Sequence, residues 1–536
     1  MGKTNGVLLQ QPLSPVRGRF EALRRPPSKP HRHLGAVPYA AALATFVLHA
    51  VANAQYGFFR DELYFIVCGR HPALGYVDQP SLVPLLAALS QDFGTSLFAL
   101  RLIPAICGAL SVLVACFLTA ELGGGRFAQL VCGLVVMLSP EMLQLSQRLS
   151  PDAVELWTWP LLALLVYRIS RGGDRRLWLA VGLVGALAAW SKYSVAFLGV
   201  ALLIGIALTP ARRMLKDGWF AAGLALAFAL VSPNVAWQAS HGWPMITLLR
   251  NDYDQFLVRN PPFVVQQLLI MHPVLSIEWL VGLAWLMRKA QMRFLGYAYV
   301  ALIAMMALLD AKPYYPSAVY PMLIAAGAVP IESWARRALG RRVAIVAVIV
   351  LLALPAIPFV LPVLPMQRYL AYQRGMARIF HVQFHVMNVK TSETPIEYYA
   401  DMTGWPQMER TVAAVYDALP ATDRAQAAIL TRNFGEASAL DVFGAADHLP
   451  PALSGNNNYW VWGTRGFSGN VLIDVNGDIN VDRARFRDVR LATIFRNPYA
   501  MPYENNLPIL VCRGIKTPLA DLWPQLRNYS YAFRSM

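Results

Sequence analysis

The sequence predicts a polytopic α-helical membrane protein with a C-terminal α/β domain outside the membrane. Of its 536 residues, 56% are hydrophobic and only 15% are charged, whereas soluble domains carry about 25% charged residues. The mean hydropathy is +0.41, and long apolar runs recur between residues 37 and 364. Beyond about residue 365, short apolar stretches alternate with Asn, Gly and Pro turns. Spanning helices followed by a water-exposed domain account for this division.

About eleven apolar segments have the roughly 20 residues that a membrane-spanning helix requires. Such segments are expected to be helical, because a helix satisfies its own backbone hydrogen bonds in lipid. The predicted membrane domain therefore covers residues 37–365, with long external connections near 57–96 and 238–263. The predicted segments are 37–55, 97–120, 127–144, 153–169, 177–191, 193–210, 219–237, 264–287, 293–310, 316–333 and 343–364.

Charge predicts the orientation of these helices. Arg and Lys cluster in every second connection and in the basic tail 1–36, and most acids lie in the intervening connections. Cytoplasmic connections carry the excess of Arg and Lys. The N-terminus is therefore predicted to be cytoplasmic, with the tail disordered, and the C-terminus to lie outside. The basic clusters are Gly125-Arg126, Arg168 to Arg176, Arg212 to Lys216, Arg288 to Arg293 and Arg336 to Arg342.

The outer regions carry signals for local structure. Residues 57–96 alternate short apolar stretches with Gly and Pro, which predicts amphipathic helices lying in the outer membrane interface. Residues 366–536 predict a compact α/β domain. Its predicted strands are Ala427 to Leu430, Tyr459 to Trp462, Val471 to Ile473 and Ile509 to Val511, and its predicted helix is Gly435 to Phe443.

Composition argues against several other functions. The net charge of +16 comes from short clusters between apolar runs, not from a basic stripe with aromatics, so nucleic acid is not an expected partner. The five Cys form no CxxC motif, and a disulfide between Cys68 and Cys512 stays open. His381 and His385 have helical i, i+4 spacing but lack the Glu of the metalloprotease motif. No metal site is therefore predicted, and a divalent metal near His71 is the less favoured alternative.

The strongest candidate for chemistry is the pair Asp61-Glu62, just beyond the first apolar segment. Adjacent carboxylates at a membrane boundary are costly to desolvate and usually have a functional reason. Asp78 follows in the same connection. The alternative is a solvated loop in which Arg60 pairs with Asp61.

Further external residues can accompany this pair. Asp152 follows Ser150-Pro151, where an ordinary helix cap is the alternative. Lys192 is a lone cation at a helix end, where a Lys reaching for the membrane surface is the alternative. Lys312 precedes aromatic residues, a pattern that suits a lipid phosphate or an aromatic belt with an anchoring Lys. Together these residues predict one outward cavity with carboxylates on one side and cations on the other.

These motifs resemble those of the bacterial family 39 glycosyltransferases of the GT-C class, which include protein O-mannosyltransferases and lipid A aminoarabinose transferases. The resemblance extends over residues 37–333 in family order, and the C-terminal domain resembles the tails of uncharacterised bacterial members. It implies a GT-C-like fold in the bacterial inner membrane. The matching motifs are Arg60-Asp61-Glu62, Gly75 to Pro80, Leu149 to Asp152, Trp190 to Tyr193, Lys312 to Tyr315, Tyr320-Pro321, Tyr399 to Met402 and Ser454 to Trp460.

The resemblance implies transfer of a sugar, with inversion, from a polyprenyl-phosphate-linked donor to an acceptor at the outer face. Asp61 would be the general base, and Glu62 and Asp152 would position the acceptor or the sugar. Arg60 and Asp78 would assist that positioning. The acceptor is left open among glycan, lipid and protein, and the sugar is also left open. No cofactor is implied.

On the donor side, the resemblance assigns the lipid phosphate to Lys312, helped by Lys192 or Arg148. Tyr315 would donate a hydrogen bond. Two other classes of function stay open from the sequence: a secondary transporter or lipid flippase, and a non-catalytic envelope-assembly scaffold. Transporters tend to place ionisable groups near the membrane midplane in repeated halves, whereas these charges lie at the outer boundary.

Overall fold

The computed structural model describes residues 35–92, 94–252, 261–386, 389–390 and 394–531. The predicted basic tail 1–36 thus lies outside the described residues except for its last two positions. Part of the second long external connection, residues 253–260, also lies outside them.

Helices occupy every apolar segment that the sequence marks as a span. Three of the predicted segments, 127–144, 264–287 and 343–364, are each divided into two α-helices, and the long external connections contain helices of their own. The bounds are α1 (Val37–Ala52), α2 (Arg60–Arg70), α3 (Leu82–Gln91), α4 (Leu97–Glu121), α5 (Arg126–Leu138), α6 (Pro140–Leu145), α7 (Pro151–Ser170), α8 (Leu177–Ser191), α9 (Val195–Ala207), α10 (Gly218–Ser240), α11 (Pro244–Asp252), α12 (Phe263–Ile270), α13 (Ser276–Arg288), α14 (Arg293–Leu308), α15 (Tyr320–Ala335), α16 (Leu339–Ala353) and α17 (Ile357–Val360).

Length and composition single out some of these helices as potential spans. Within the described residues, four helical stretches are long and apolar enough to cross a membrane: Leu97–Glu121, Gly218–Ser240, Ser317–Ala335 and Leu339–Val360. The pair Val195–Ala207 and Pro210–Lys216 makes a fifth if its 118° bend lies within one span. The chain is a multi-pass membrane protein, and the count of about eleven spans stays a prediction.

Close backbone contacts hold several of these helices together. α8 packs on α10, and α13 packs on α15. A Cβ atom at Gly182 would come within 2.2 Å of the Gly223 carbonyl oxygen, and one at Gly282 within 1.9 Å of the Leu323 oxygen. Small residues at such crossings let helix backbones approach closely, which is the usual basis of helix association in lipid.

The sequence predicts that helices of the first external connection lie in the outer membrane interface, and the structure contradicts this for α2. In α3, Leu85 and Leu89 are exposed, and for this helix the interfacial position stays a prediction. α2 is buried over most of its length, and Leu63, Ile66 and Cys68 have no exposed surface. α2 packs against α3 on one side and against a helix of the C-terminal region on the other. The prediction was wrong because the apolar residues of α2 are covered by protein that follows some 370 residues later in the chain.

The C-terminal region contains short helices around two sheets. Its elements are α18 (Met366–Phe380), β1 (His385–Val386), β2 (Val389–Lys390), α19 (Glu397–Ala400), α20 (Trp405–Asp417), α21 (Ala421–Arg424), β3 (Ala427–Thr431), α22 (Phe434–Phe443), β4 (Ala452–Ser454), α23 (Asn457–Val461), β5 (Val471–Val475), α24 (Ile479–Arg485), β6 (Phe486–Phe495), β7 (Leu507–Ile515) and α25 (Leu519–Leu522).

The larger sheet has five strands in the order β4-β3-β5-β7-β6. β3 is parallel to β4 and β5, with Ala427 opposite Val471, and β7 is antiparallel to β5 and β6. The predicted strands at 427–430, 471–473 and 509–511 are confirmed, as is the helix at 435–443. The predicted strand at 459–462 was wrong, because Tyr459 and Trp460 belong to the short helix α23.

One hydrophobic core joins the first external connection to the C-terminal region. Tyr64 and Val67 of α2 cluster with Phe434 of α22 and with Ile429 and Ile473 of the five-stranded sheet. α2 therefore lies at the boundary between the membrane helices and the C-terminal region, and the residues that follow Phe59 are fixed from both sides.

Candidate active site

The start of α2 sets the directions of Asp61 and Glu62. Phe59 precedes the helix, and its backbone N–H donates to Glu62 Oε2 at 2.9 Å. Both carboxylates lie in the first turn, where negative charge is favourable to the helix dipole. Because successive residues on a helix point about 100° apart, the two side chains enter different environments.

Glu62 is buried and fully engaged with protein. Arg101 donates to it from Nε at 3.1 Å and from Nη2 at 2.9 Å, and the Leu149 N–H donates at 3.1 Å. Neither the Glu62 nor the Arg101 side chain has exposed surface. Arg101 also donates to the carbonyl of Gly57 at 2.7 Å. Glu62 therefore holds the segments before α2 and α7 together, and its predicted role in positioning the acceptor or the sugar stays a prediction.

Asp61 has the opposite environment. Its side chain is 36% exposed, and Oδ1 lies 3.5 Å from Arg60 Nε. Arg60 turns toward the C-terminal region, where Nη1 donates to the Tyr503 hydroxyl at 2.9 Å and Nε lies 3.8 Å from Asp401. Its guanidinium also lies 5.0 Å from the centre of the Phe434 ring. Asp61 thus keeps an accessible carboxylate, whereas Arg60, predicted to position a substrate, is tied to protein groups.

Asp152 and Lys192 form an ion pair, with Nζ 2.6 Å from Oδ1. Ser150 caps α7 by accepting from the Ala153 N–H, so the predicted cap is present and leaves the Asp152 carboxylate to Lys192. Burial favours the neutral form of Lys192, but the charge of Asp152 outweighs it and raises the pKa of Lys192. The ammonium also lies 4.2 Å from the Tyr315 ring centre. Lys192 is therefore a fixed, permanently charged cation.

Arg148 lies within electrostatic range of both Asp61 and the Asp152–Lys192 pair. Its guanidinium is 4.3 Å from the Phe59 ring centre and 4.8 Å from the Tyr398 ring centre. Burial opposes its charge, but interactions with Tyr398, Asp61 and Asp152 raise its pKa. Arg148 is thus a charged group within electrostatic range of both carboxylates, and its predicted role at the donor phosphate stays a prediction.

Lys312 and Tyr315 come from the connection before α15. The Lys312 ammonium lies 5.6 Å from the Tyr531 ring centre. Burial lowers the pKa of Lys312, and the nearby charge of Lys192 lowers it further, although Asp61 and Asp152 favour the charged form. Two ammonium groups that repel each other define a place where an anion would be stabilised.

Asp78 lies inside the protein, within electrostatic range of Asp61. It accepts from the Tyr64 hydroxyl at 3.2 Å and from Asn457 Nδ2 at 3.4 Å. Burial raises the pKa of Asp78 to about 7, and the charge of Asp61 contributes to the shift. Asn458 accepts from the Val77 N–H at 2.7 Å. The side chains of Asn457 and Asn458, at the start of α23, therefore hold the first external connection in place.

Several site residues gave little signal in the sequence. Arg101 is a single charge near the start of an apolar helix, which could have suggested a buried partner. Asp401 belongs to a motif noted only for its resemblance, and Tyr398 directly precedes that motif. Burial raises the pKa of Asp401 to about 6, although Arg60 opposes the shift. Tyr531 gave no signal, because nothing local to it indicates that it reaches the cavity.

Two minor expectations are also resolved. Cys68 and Cys512 are both free and buried, in separate hydrophobic clusters, so the open disulfide is not formed. His381 ends α18 in a left-handed conformation and His385 lies in β1, so the two do not share a helix. Among the described residues, no three His, Cys, Asp or Glu side chains are grouped to hold a metal ion.

Comparisons with known proteins agree with this architecture. Residues 78–237 match the family model described as dolichyl-phosphate-mannose-protein mannosyltransferase. That range contains Asp78, Arg148, Asp152 and Lys192 but ends before Lys312. A search of curated protein sequences finds no match.

Solved structures share the fold at low sequence identity. The crystal structure of ArnT from Cupriavidus metallidurans in the apo state superposes with a TM-score of 0.57 at 13% identity, covering 89% of this chain and 97% of that one. The structure of the same protein bound to undecaprenyl phosphate gives 0.56 at 12% identity, with the same coverage. The fold is that of the GT-C class of membrane proteins.

The family model describes an enzyme activity, whereas the solved structures describe a fold. The partial family match and the shared fold agree with the glycosyltransferase activity of the GT-C class that the sequence resemblance implies. The matched family model describes a sugar-transferring enzyme, which favours this class over the transporter and scaffold alternatives.

Proposed function

We propose that the protein transfers a sugar from a polyprenyl-phosphate-linked donor to an acceptor at the outer face of a bacterial inner membrane. Asp61 is the general base, and the configuration at the sugar is inverted. The observation that carries the proposal is the exposed carboxylate of Asp61 within electrostatic range of two cations of the predicted phosphate site. Arg148 and Lys312 both interact electrostatically with Asp61, and Lys192 interacts with Lys312.

The cationic side of the cavity suits a phosphate leaving group. Lys192 is held by Asp152, and its ammonium also faces the Tyr315 ring. Lys312 lies close enough for Lys192 to lower its pKa. A phosphate bound between them would relieve the repulsion between the two ammonium groups. Charges held in place in this way stabilise the negative charge that develops on the leaving group. The undecaprenyl phosphate bound to ArnT supports a lipid of this class as the ligand.

The transfer step needs one base and no strong acid. An acceptor hydroxyl oxygen attacks the anomeric carbon of the sugar and gives its proton to Asp61. The bond between that carbon and the phosphate oxygen breaks, and the electron pair leaves with the polyprenyl phosphate. Lys312, Lys192 and Arg148 stabilise the added negative charge. A single displacement inverts the anomeric centre, so one carboxylate base is sufficient.

The remaining assignments follow the same geometry. Asp152 positions the acceptor or the sugar indirectly, by fixing Lys192. Glu62 does so by fixing the backbone at Phe59 and Leu149. The acceptor belongs to one of three classes: glycan, lipid or protein. About eleven spans, with the C-terminal region on the outer face, would place the cavity where a membrane-bound donor and an external acceptor meet.

A deletion strain tests the proposal. Its glycolipids and glycoproteins, compared with the parent strain by mass spectrometry, are expected to lack one sugar on one acceptor. The unmodified gene restores that mass. Asp61→Asn is expected to reduce the initial rate of transfer in isolated membranes by about 100- to 10,000-fold, which is the usual contribution of a general base.

The control is Asp417→Asn, which alters an exposed carboxylate far along the chain in α20. It should restore the full rate at equal protein abundance. Full transfer by Asp61→Asn at equal abundance would exclude Asp61 as the base. An unchanged glycan and lipid profile in the deletion strain would contradict the proposed reaction.

A further inference from the structure

The last described residues of the chain, Asn528 to Tyr531, lie against the candidate active site. On one side they are held by Gly455 and by the Asn residues at the start of α23, Asn456 and Asn457. Asn528 N–H donates to the Gly455 carbonyl at 2.8 Å, and Asn457 N–H donates to the Asn528 carbonyl at 3.0 Å. Asn456 Nδ2 donates to the carbonyls of Asn528 and Ser530, at 2.8 and 2.9 Å. The path of this segment is therefore fixed by paired backbone groups.

On its other side the segment is held by the second external connection. Asn251 Nδ2 donates to the Tyr529 carbonyl at 2.8 Å, and the Tyr531 N–H donates to Asp252 Oδ2 at 2.9 Å. The Ser530 hydroxyl also donates to Asp252. Because Asp252 is buried, these hydrogen bonds to its carboxylate are of the strong, charge-assisted kind.

This double attachment places the Tyr531 side chain between Asp78 and Lys312. Its hydroxyl donates to the Asp78 carbonyl at 3.4 Å, and its ring centre lies 5.6 Å from the Lys312 ammonium. Burial raises the pKa of Tyr531 well above its ordinary value, and the charges of Asp78 and Asp61 add to the shift. The phenol therefore stays neutral and presents an aromatic ring to a cation.

We propose that the segment Asn528 to Tyr531 is a wall of the catalytic cavity and that Tyr531 is a positioning residue, which holds Lys312 where it meets the phosphate of the lipid donor. This inference rests on the proposed function. A Lys side chain is flexible and loses much rotamer freedom when it is fixed. An aromatic ring facing its ammonium removes part of that cost before the lipid arrives, because a cation is attracted to the ring.

The test measures binding of undecaprenyl phosphate to the full-length protein in nanodiscs. Tyr531→Leu removes the ring and is expected to weaken binding about three- to thirty-fold, the range that a cation–π interaction supports. Tyr531→Phe keeps the ring and should stay within about two-fold of the unmodified protein. Binding of undecaprenol, which lacks the phosphate, should be the same in all three proteins, since Lys312 acts on the charge. A general packing defect would weaken both lipids.

The matched control is Tyr416 in α20, whose hydroxyl donates to the Arg424 carbonyl at 3.3 Å. Tyr416→Leu removes a similar side chain from the same region and should leave both affinities unchanged. If Tyr531→Leu does not fold, Asn251→Ala tests the attachment instead, because it removes the hydrogen bond to the Tyr529 carbonyl without changing the charge near Lys312. It should weaken undecaprenyl phosphate binding and leave undecaprenol binding intact.

Lys312→Ala separates this inference from the proposed function. If Lys312→Ala weakens phosphate binding and neither Tyr531→Leu nor Asn251→Ala does, the positioning role is wrong and the proposed phosphate site stands. If Lys312→Ala has no effect, the assignment of the phosphate to Lys312 is wrong, and the role of Tyr531 is overturned with it.

Discussion

Two adjacent carboxylates in the first turn of α2, those of Asp61 and Glu62, lie in opposite environments. On the inner side, Glu62 has no exposed surface and accepts hydrogen bonds from Arg101 and from two backbone N–H groups. On the cavity side, Asp61 is 36% exposed, and its nearest cation, Arg60, is shared with Asp401 and Tyr503. Charge and sequence position are almost identical for the two residues. Their partners decide that one carboxylate stabilises the fold and the other is available for chemistry.

The difference also shows how the cavity is built. A buried ion pair is costly to desolvate and acts mainly by fixing geometry. Through Arg101 the Glu62 side links α2 with the loop before it, and through the Leu149 N–H it links α2 with the start of α7. The exposed carboxylate therefore rests on a rigid support, which is what a catalytic group requires for accurate placement.

The largest expected effect on stability comes from breaking the inner pair. Glu62→Gln leaves Arg101 buried without its counter-ion, and loss of one partner of a buried pair costs about 3–5 kcal/mol. We expect a lower melting temperature and low abundance in membranes. Asp61→Asn should instead lose transfer activity at normal abundance. Thermal unfolding in detergent, measured beside the transfer assay, checks the contrast.

The control for this pair is Glu121→Gln. Glu121 pairs with Arg168 at 2.8 Å, but both side chains are partly exposed, at 26% and 42%. Exposed ion pairs contribute about 0–1 kcal/mol, so the melting temperature should change little. Equal stability losses for Glu62→Gln and Glu121→Gln would contradict the difference between a buried and an exposed pair.

An intermediate effect is expected at Asp152 and Lys192, whose side chains are 13% and 19% exposed. Lys192→Met should cost about 1.5–3 kcal/mol of stability, the range for a hydrogen bond to a charged group. It should also reduce transfer, since Lys192 belongs to the phosphate site. A double-mutant cycle with Asp152→Asn measures the coupling between the two.

Lys289→Met provides the comparison, because Lys289 is exposed and also lies near an aromatic ring, that of Trp285. It should affect neither stability nor transfer. A coupling energy near zero between Lys192 and Asp152 would contradict the claim that this ion pair holds Lys192 in place.

The smallest expected effect is a pH dependence at Asp78. Burial raises its pKa to about 7 in the folded protein, compared with about 3.9 in an unfolded chain. Between these values the folded state binds the extra proton, so its stability falls as the pH rises from about 4 to about 7 and is level above that. The slope is at most about 1.4 kcal/mol per pH unit.

Asp78→Asn removes this titration. The melting temperature of the variant, relative to that of the unmodified protein, should therefore rise between pH 5 and pH 7. Asp417→Asn should follow the unmodified protein across the same range. Parallel curves for Asp78→Asn and the unmodified protein would show that Asp78 does not titrate in this window.

Local patterns predicted most of the helices and several strands. Apolar length located the membrane-region helices, and the cap at Ser150 was readable because a Ser side chain bonds a backbone N–H three residues on. The failures depended on distant contacts. Residues 459–461 lie in α23, whose Asn458 binds the first external connection, and α2 is buried because the C-terminal region covers it.

The sequence by itself determined that this is a membrane protein with Asp61 and Glu62 beyond its first helix, because hydropathy, charge bias and motif composition are local properties. Only the tertiary structure decided which carboxylate is available. Glu62 meets its counter-ion Arg101 39 residues further along, and Tyr531 reaches Asp78 across 453 residues. Solvation and charge pairing depend on distance in space, and no local pattern shows which distant residue will supply the partner.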